Sequence, residues 1–170
     1  MEVSVIVLSY NHPEITARTL SSLKSFEFKS TLLVHNGSTP MHQESLQTNF
    51  PNIEHLVLPT NLGFSGGANA GLTEAFKTAD WCLFLTNDCV LETIGVLPTK
   101  PSIVAPKIWS RNTDRIDSLG GYFVPHKGLL QHIRNEEDFY TNSDLKYVPG
   151  TAFLLHKDIF SKTAGFDPSL

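Results

Sequence analysis

The stretch that most constrains this chain runs from Asn61 to Leu72, Asn-Leu-Gly-Phe-Ser-Gly-Gly-Ala-Asn-Ala-Gly-Leu, and leads soon afterwards into the apolar run Trp81–Leu85 and then Thr86-Asn87-Asp88. After Ser65, read as an N-cap, the positions Ala68, Leu72, Ala75 and Phe76 continue at helical spacing. Yet each glycine in a helix interior costs roughly 1 kcal/mol against alanine. A helix that tolerates Gly66, Gly67 and Gly71 must gain something from the missing bulk. Either it packs tightly on a sheet or it lets a ligand come near one face. Packing explains the small residues, but not Asn61 and Asn69, which bring amide donors and acceptors to the same corner.

The segments around this stretch set the fold class. Val3–Ser9 is a short β-branched run of the kind buried on both faces of a parallel sheet, and it ends in Tyr10-Asn11-His12-Pro13. Pro13 and Glu14 open a helix whose apolar positions Ile15, Leu20 and Leu23 fall on one side. Thr31–His35 reads as a second strand, closed by the turn residues Asn36-Gly37-Ser38-Thr39-Pro40. Met41–Phe50 is a polar helix, Ile53–Leu58 a third strand, and Trp81–Leu85 a fourth. Strand and helix in alternation predict a mostly parallel α/β sheet with right-handed crossovers, whose ligand crevice lies beyond the carboxyl ends of the strands. Ser9-Tyr10-Asn11, His35-Asn36-Gly37, Asn61 and Thr86-Asn87-Asp88 all fall at those ends.

Beyond Asp88 the rhythm changes. Ile103–Trp109 reads as one strand carrying Pro106 at an edge or bulge, and Gly120–Phe123 as the start of another. Arg134–Lys146 reads as an exposed loop, Val148–Leu155 as a last strand and Lys157–Ala164 as a short helix. The chain of 170 residues fits one domain with a real core. With 13 Lys+Arg against 17 Asp+Glu, its net charge of -4 argues against nucleic acid as a partner. Met1 leads straight into a strand pattern, so the expectation is no signal peptide, no transmembrane helix and a cytoplasmic location. Cys82 and Cys89 fit no zinc spacing and are expected to be reduced.

The order of short signatures is specific. Asn61–Leu72 resembles the N-x-G-[FY]-[SAG]-x-G-x-N-x-G-[LI] stretch of family 2 glycosyltransferases, particularly rhamnosyltransferase-like members that build bacterial surface polysaccharides. Val5–Asn11 resembles that family's opening strand with its Y-N end, His35–Thr39 its D-N-G-S-T, Pro106-Lys107-Ile108 its P-K-I, and Gly165-Phe166-Asp167 the start of its G-F-D-E segment. The resemblance implies a GT-A fold, with residues 1–90 as the nucleotide-binding half and 91–170 as the start of a smaller acceptor-side half. It also implies transfer of a sugar, with inversion, from a nucleotide-diphosphate sugar to a saccharide or lipid-linked acceptor. Peripheral membrane association at the inner face of the membrane follows only by analogy with lipid-linked acceptors. Exposed apolar surface would favour a homodimer.

That chemistry leaves a diphosphate behind, whose charge a Mg2+ or Mn2+ ion held by carboxylate and phosphate oxygens can meet. The resemblance assigns the metal to Asp88, with Thr86 where the family's D-x-D has its first acid. The nucleotide-binding set it implies is Ser9, Tyr10, Asn11, His35, Asn36, Asn61, Phe64, Gly66, Asn69 and Asn87. Tyr10 offers a ring to the base, and Asn11 or Asn36 offers amide hydrogen bonds. His35 stands in place of the family's base-binding aspartate and is either a neutral donor and acceptor in that role or a satisfied strand-end histidine. His42, His55, His126, His132 and His156 read as surface or packing residues. Trp109 and Tyr122 fall in the acceptor region, with core packing the favoured use of each. The family's general base lies beyond G-F-D, so it is expected past Leu170, and this chain is expected to bind nucleotide sugar weakly and turn over very slowly or not at all. Two other classes compete. A sugar nucleotidyltransferase would place a glycine-rich loop straight after the first strand, where Ser9–Pro13 has no glycine. A nucleotide-sugar-binding or scaffolding domain would tolerate Thr86 and His35.

Overall fold

The computed structural model describes residues 2–111, 113, 115–141 and 146–169. A six-stranded sheet carries the molecule: β1 (Val3–Ser9), β2 (Ser30–Asn36), β3 (Glu54–Leu58), β4 (Trp81–Thr86), β5 (Ile103–Val104) and β11 (Ala152–His156), in the order β3-β2-β1-β4-β11-β5. The first four strands of that order are parallel, while β11 runs antiparallel to both β4 and β5. Parallel pairing requires crossovers, and α1 (Pro13–Leu23), α2 (Pro40–Asn49) and α3 (Gly63–Ala75) supply them. Registers such as Leu8 with Thr86 and Ser9 with His35 bring the carboxyl ends of β1, β2 and β4 level.

Because side chains alternate along a strand, β1 feeds two cores. Val3, Val5 and Val7 join Leu33, Leu83 and Leu85 beneath α1 and α2, with Leu20, Leu23 and Leu46 as the helical contribution. Ile6 and Leu8 join Val34, Cys82 and Phe84 beneath α3, with Ala68, Leu72 and Ala75. Each such Leu, Ile or Val is worth roughly 1.5–3 kcal/mol on burial, so the sheet is held from both sides. Two glycines of α3, Gly67 and Gly71, are on the packed side, whereas Gly63 is exposed. A Cβ on Gly71 would lie 2.8 Å from Val34 Cγ2, and one on Gly67 would lie 2.7 Å from Leu8 Cδ1. Their small size therefore serves helix-on-sheet contact rather than close approach of a ligand.

Several expectations are revised in detail. Helix α3 starts at Gly63, ahead of Ser65, because the Asn61 side chain accepts the Gly63 N–H at 2.8 Å and Gly63 itself turns at φ 69°. In α1 the buried face is Thr16, Thr19, Leu20 and Leu23, with Ile15 half-buried. Ile103–Trp109 is two strands in different sheets, β5 and β6 (Ile108–Ser110), separated by Pro106, which has no N–H for a ladder. β6 pairs with β7 (Arg115–Ser118), while β8 (Gly121–Val124) lies between β9 (Leu129–His132) and β10 (Lys146–Tyr147). Val148–Leu155 is not continuous, since Pro149-Gly150-Thr151 turns the chain before β11. Within Arg134–Lys146 a short helix α4 (Glu136–Thr141) forms, and residues 142–145 lie outside the described residues. Helix α5 (Lys157–Thr163) follows β11 as expected. Trp109 is 48% exposed, with the Lys107 ammonium 5.6 Å from its ring centre, so it is not a core residue. Tyr122 is half-buried in β8. No described helix is long and apolar enough to cross a membrane.

Candidate functional site

Strand parity decides which residues meet at the sheet's carboxyl edge. Leu8, Asn36 and Thr86 share the α3 side, and together with Tyr10, Asn61, Gly63, Phe64 and Asn87 they line a cavity of about 260 Å3. Tyr10 is 50% exposed and Phe64 39%, so two aromatic faces are available at this opening. Ser9 and His35 point the other way. Ser9 Oγ bonds Thr16 Oγ1 at 2.8 Å and His42 Nε2 at 3.2 Å, and both Ser9 and His35 are fully buried. Neither offers a surface to a nucleotide, which corrects their assignment to the binding set.

His35 belongs instead to a buried histidine cluster. The Phe50 carbonyl can only accept, so His55 Nε2 donates to it at 3.1 Å, leaving His55 Nδ1 to accept from His35 Nε2 at 2.9 Å. Burial, then the neighbouring His55 and His42, press the His35 pKa down to about 4. His35 is therefore neutral at physiological pH. Burial also lowers the His42 pKa, and the Nδ1 atoms of His35 and His42 have no partner among the described residues.

Three of the motif asparagines are spent on fastening loops. Asn11, at φ 56°, accepts the Thr39 N–H on Oδ1 at 3.2 Å, while its own backbone N–H donates to Ser38 Oγ at 3.1 Å. These bonds tie the loop after β1 to the loop after β2, and Asn11 does not line the cavity. Asn36 lines it but has little left to offer. Its Nδ2 donates to Asn61 Oδ1 at 3.1 Å and to the Gly63 carbonyl at 2.9 Å, and its Oδ1 accepts the Leu62 N–H at 2.9 Å. Asn69 is turned toward residues 165 and 166: its Nδ2 donates to the Phe166 carbonyl at 2.8 Å, and its Oδ1 accepts the Phe166 N–H at 2.9 Å. Gly66 faces the Leu62 side chain, 2.6 Å from where a Cβ would stand.

Asn61 is different. Two donors, Gly63 N–H and Asn36 Nδ2, converge on its Oδ1, and this fixes which end of the amide is oxygen. Asn61 is itself exposed, and its Nδ2 has no protein acceptor among the described residues. Asn87 is seated on α1, its Nδ2 donating to Thr16 Oγ1 at 3.1 Å and its carbonyl accepting from Thr19 Oγ1 at 2.6 Å. The Thr86 hydroxyl donates to Asp88 Oδ1 at 2.5 Å, which holds the exposed Asp88 carboxylate beside the cavity wall. Cys82 and Cys89 are free, and burial pushes both thiols up, so neither is a thiolate at neutral pH.

No lysine, arginine or histidine is among the residues lining the cavity. A diphosphate placed here would have to meet its charge with a bound cation or with solvent. Among the described residues, no group of three acidic, histidine or cysteine side chains could cage a metal alone. One exposed carboxylate does fit a divalent ion that takes its other ligands from phosphate and water, since Mg2+ commonly uses only one or two protein carboxylates.

A mostly parallel sheet of this order, with a small-residue helix over one face and an aromatic, amide-lined pocket at its carboxyl edge, defines a GT-A-type α/β domain. The chain belongs to glycosyl transferase family 2, whose model matches residues 4–163. No protein of curated function matches it. Among solved structures, it is similar to S. aureus TarS residues 1–349 (TM-score 0.63, 18% identity, 100% of this chain and 51% of that one). It is also similar to the mannosyltransferase PcManGT from Pyrobaculum calidifontis, solved with GDP-Man and Mn2+ (TM-score 0.58, 14% identity, 99% and 48%). A third is GalNAc-T7 with UDP, GalNAc and Mn2+ (TM-score 0.73, 15% identity, 99% and 37%). The chain thus spans about half the length of the first two. At these identities the likeness is one of fold.

Proposed function

We propose that this domain holds a nucleotide-diphosphate sugar in the Leu8–Tyr10–Asn36–Phe64–Thr86 cavity for transfer of the sugar to a saccharide or lipid-linked acceptor in bacterial surface polysaccharide synthesis. The observation that carries the reading is the convergence at one sheet edge of two exposed rings, the free Asn61 amide and the Thr86-held Asp88 carboxylate. Tyr10 and Phe64 supply apolar faces for a base or sugar, Asn61 Nδ2 donates to a carbonyl or phosphate oxygen, and Asn87 holds the floor of the opening against α1. Asp88 is the residue that would hold a Mg2+ or Mn2+ ion. Such an ion, when bound, neutralises charge developing on the departing diphosphate. Family membership, the GDP-Man and Mn2+ bound by PcManGT, and the UDP, GalNAc and Mn2+ bound by GalNAc-T7 support this assignment.

An inverting transfer needs a base within reach of the attacking hydroxyl, and no carboxylate is among the residues lining the cavity. That observation, with Thr86 in place of an acid, favours a second reading: a nucleotide-sugar-binding domain without transfer activity of its own. Calorimetry separates the possibilities. Titration with UDP, GDP or dTDP is expected to show binding that strengthens with Mn2+. Asp88→Asn, which keeps the shape and the Thr86 contact but loses the charge, is expected to remove roughly tenfold or more of the metal-dependent affinity. Metal-dependent binding without sugar transfer supports the second reading. An affinity unchanged by Asp88→Asn would remove Asp88 from the site.

A further inference from the structure

Four phenylalanines form a closed ring of contacts next to the cavity. Phe64 meets Phe84 edge-on at 5.5 Å, Phe84 stacks on Phe153 at 4.6 Å, Phe153 meets Phe166 at 5.7 Å, and Phe166 returns to Phe64 edge-on at 5.5 Å. Phe84 and Phe153 are buried in the sheet and cannot shift without disturbing the core, so Phe64 and Phe166 are the movable members. Phe64 is the one of the four that lines the cavity. The Gly150 backbone closes on its ring tip, 2.9 Å from where a Cβ would stand.

Phe166 does not hold its own place by burial, since it is only half-buried. The chain reaches it through Ala164 at φ 57° and Gly165 at φ 80°, two successive left-handed residues that end α5. Asn69 then grips both backbone groups of Phe166, at 2.8 and 2.9 Å, much as a neighbouring strand would. Gly165 is required for that grip, because a Cβ there would sit 2.4 Å from Asn69 Oδ1. A side chain on α3 therefore fixes a residue almost a hundred positions away, whose ring in turn braces another residue of α3 at the cavity wall.

We infer that Asn69 and Phe166 are positioning residues: Asn69 pins Phe166, and Phe166 sets the orientation of the Phe64 ring that a ligand in the cavity meets. This deepens the proposed nucleotide-sugar reading and gives Asn69 a role other than touching the nucleotide. Edge-on aromatic pairs of this kind add to area burial and favour one ring orientation over others.

The test has a ligand-free arm and a binding arm. In protein labelled at phenylalanine, Asn69→Ala and Phe166→Leu are each expected to move the Phe64 ring resonances toward averaged values, because the edge-on ring current of Phe166 is lost. Leu20→Ala, which weakens the opposite core, should leave those resonances in place. In calorimetry with UDP or GDP and Mn2+, Asn69→Ala is expected to weaken binding by roughly three- to thirtyfold, and to add little once Phe64→Ala is present. Phe64 resonances unmoved in both variants, or fully additive losses with Phe64→Ala, would overturn the inference. If the resonances move but the wild-type chain binds no nucleotide, the positioning stands and the nucleotide-sugar reading falls.

Discussion

Gly37→Ala is expected to lower unfolding stability by about 2–5 kcal/mol and to open the cavity, as read by denaturant unfolding and by loss of nucleotide binding at temperatures where the variant is still folded. Gly37 sits at φ 72°, where an L-residue costs roughly 1–2 kcal/mol, and a Cβ there would lie 2.2 Å from Asn61 N and 2.4 Å from Thr60 C. Those atoms are backbone, so relief requires the 60–61 segment to move, adding an overpacking cost of about 1–3 kcal/mol. Movement of that segment also strains the bonds from Asn36 to Asn61, Leu62 and Gly63, which shape one wall of the cavity. Stability within about 0.5 kcal/mol of wild type would show that the two loops are not in this contact.

Acid is the second large lever. His35 has a pKa near 4 in the folded chain against an ordinary 6.5, with burial the main cause and the adjacent His55 and His42 secondary. The unfolded chain therefore takes up a proton at this residue between pH 6.5 and about 4 while the folded chain does not. Stability is fully present above pH 6.5 and is lost as the pH falls through that window, by about 3 kcal/mol from this group. Denaturant midpoints at pH 7.5 and 4.5 measure the loss. His35→Asn is expected to be less stable at neutral pH but to show a shallower decline with acid. A wild type and variant that decline in parallel would place the acid sensitivity elsewhere.

Much of the frame was legible because the first half of the chain obeys simple periodicities. The β-branched run Val3–Ser9, the turn residues after Asn36 and the apolar run Trp81–Leu85 each specify an element without tertiary help. The chain beyond Asp88 was less legible. Two-, three- and four-residue strands such as Ile103–Val104, Arg115–Ser118 and Leu129–His132 carry too short a pattern to declare themselves and depend on partners for their form.

The site shows the same division. Position at a strand's carboxyl end put Tyr10, Asn36, Thr86 and Asn87 in one place, and they do share the cavity wall. What that reasoning omitted was parity. Ser9 and His35 are odd members of strands whose even members, Leu8 and Asn36, face α3, and the period-two rule alone would have sent them to the opposite core. The roles of Asn11, Asn36 and Asn69 were beyond such a rule. An asparagine at a loop looks the same in sequence whether its amide meets a ligand or fastens a neighbouring backbone, and only the partners distinguish them. Asn61 was the case where an amide stayed free, and the signal lies in its neighbours: Gly63 and Asn36 occupy its oxygen and leave its nitrogen without a protein acceptor among the described residues.

Placement of a diphosphate and a divalent ion at the carboxyl edge of β1, β2 and β4, with the ion on Asp88, is what we propose, and paramagnetic broadening by Mn2+ in the presence of UDP or GDP reads it out. Selective broadening of the backbone amides of residues 86–88 is expected, with weaker effects at Tyr10 and Asn61, and their recovery in Asp88→Asn. Broadening centred on other carboxylates, or the same pattern with and without nucleotide, would contradict it.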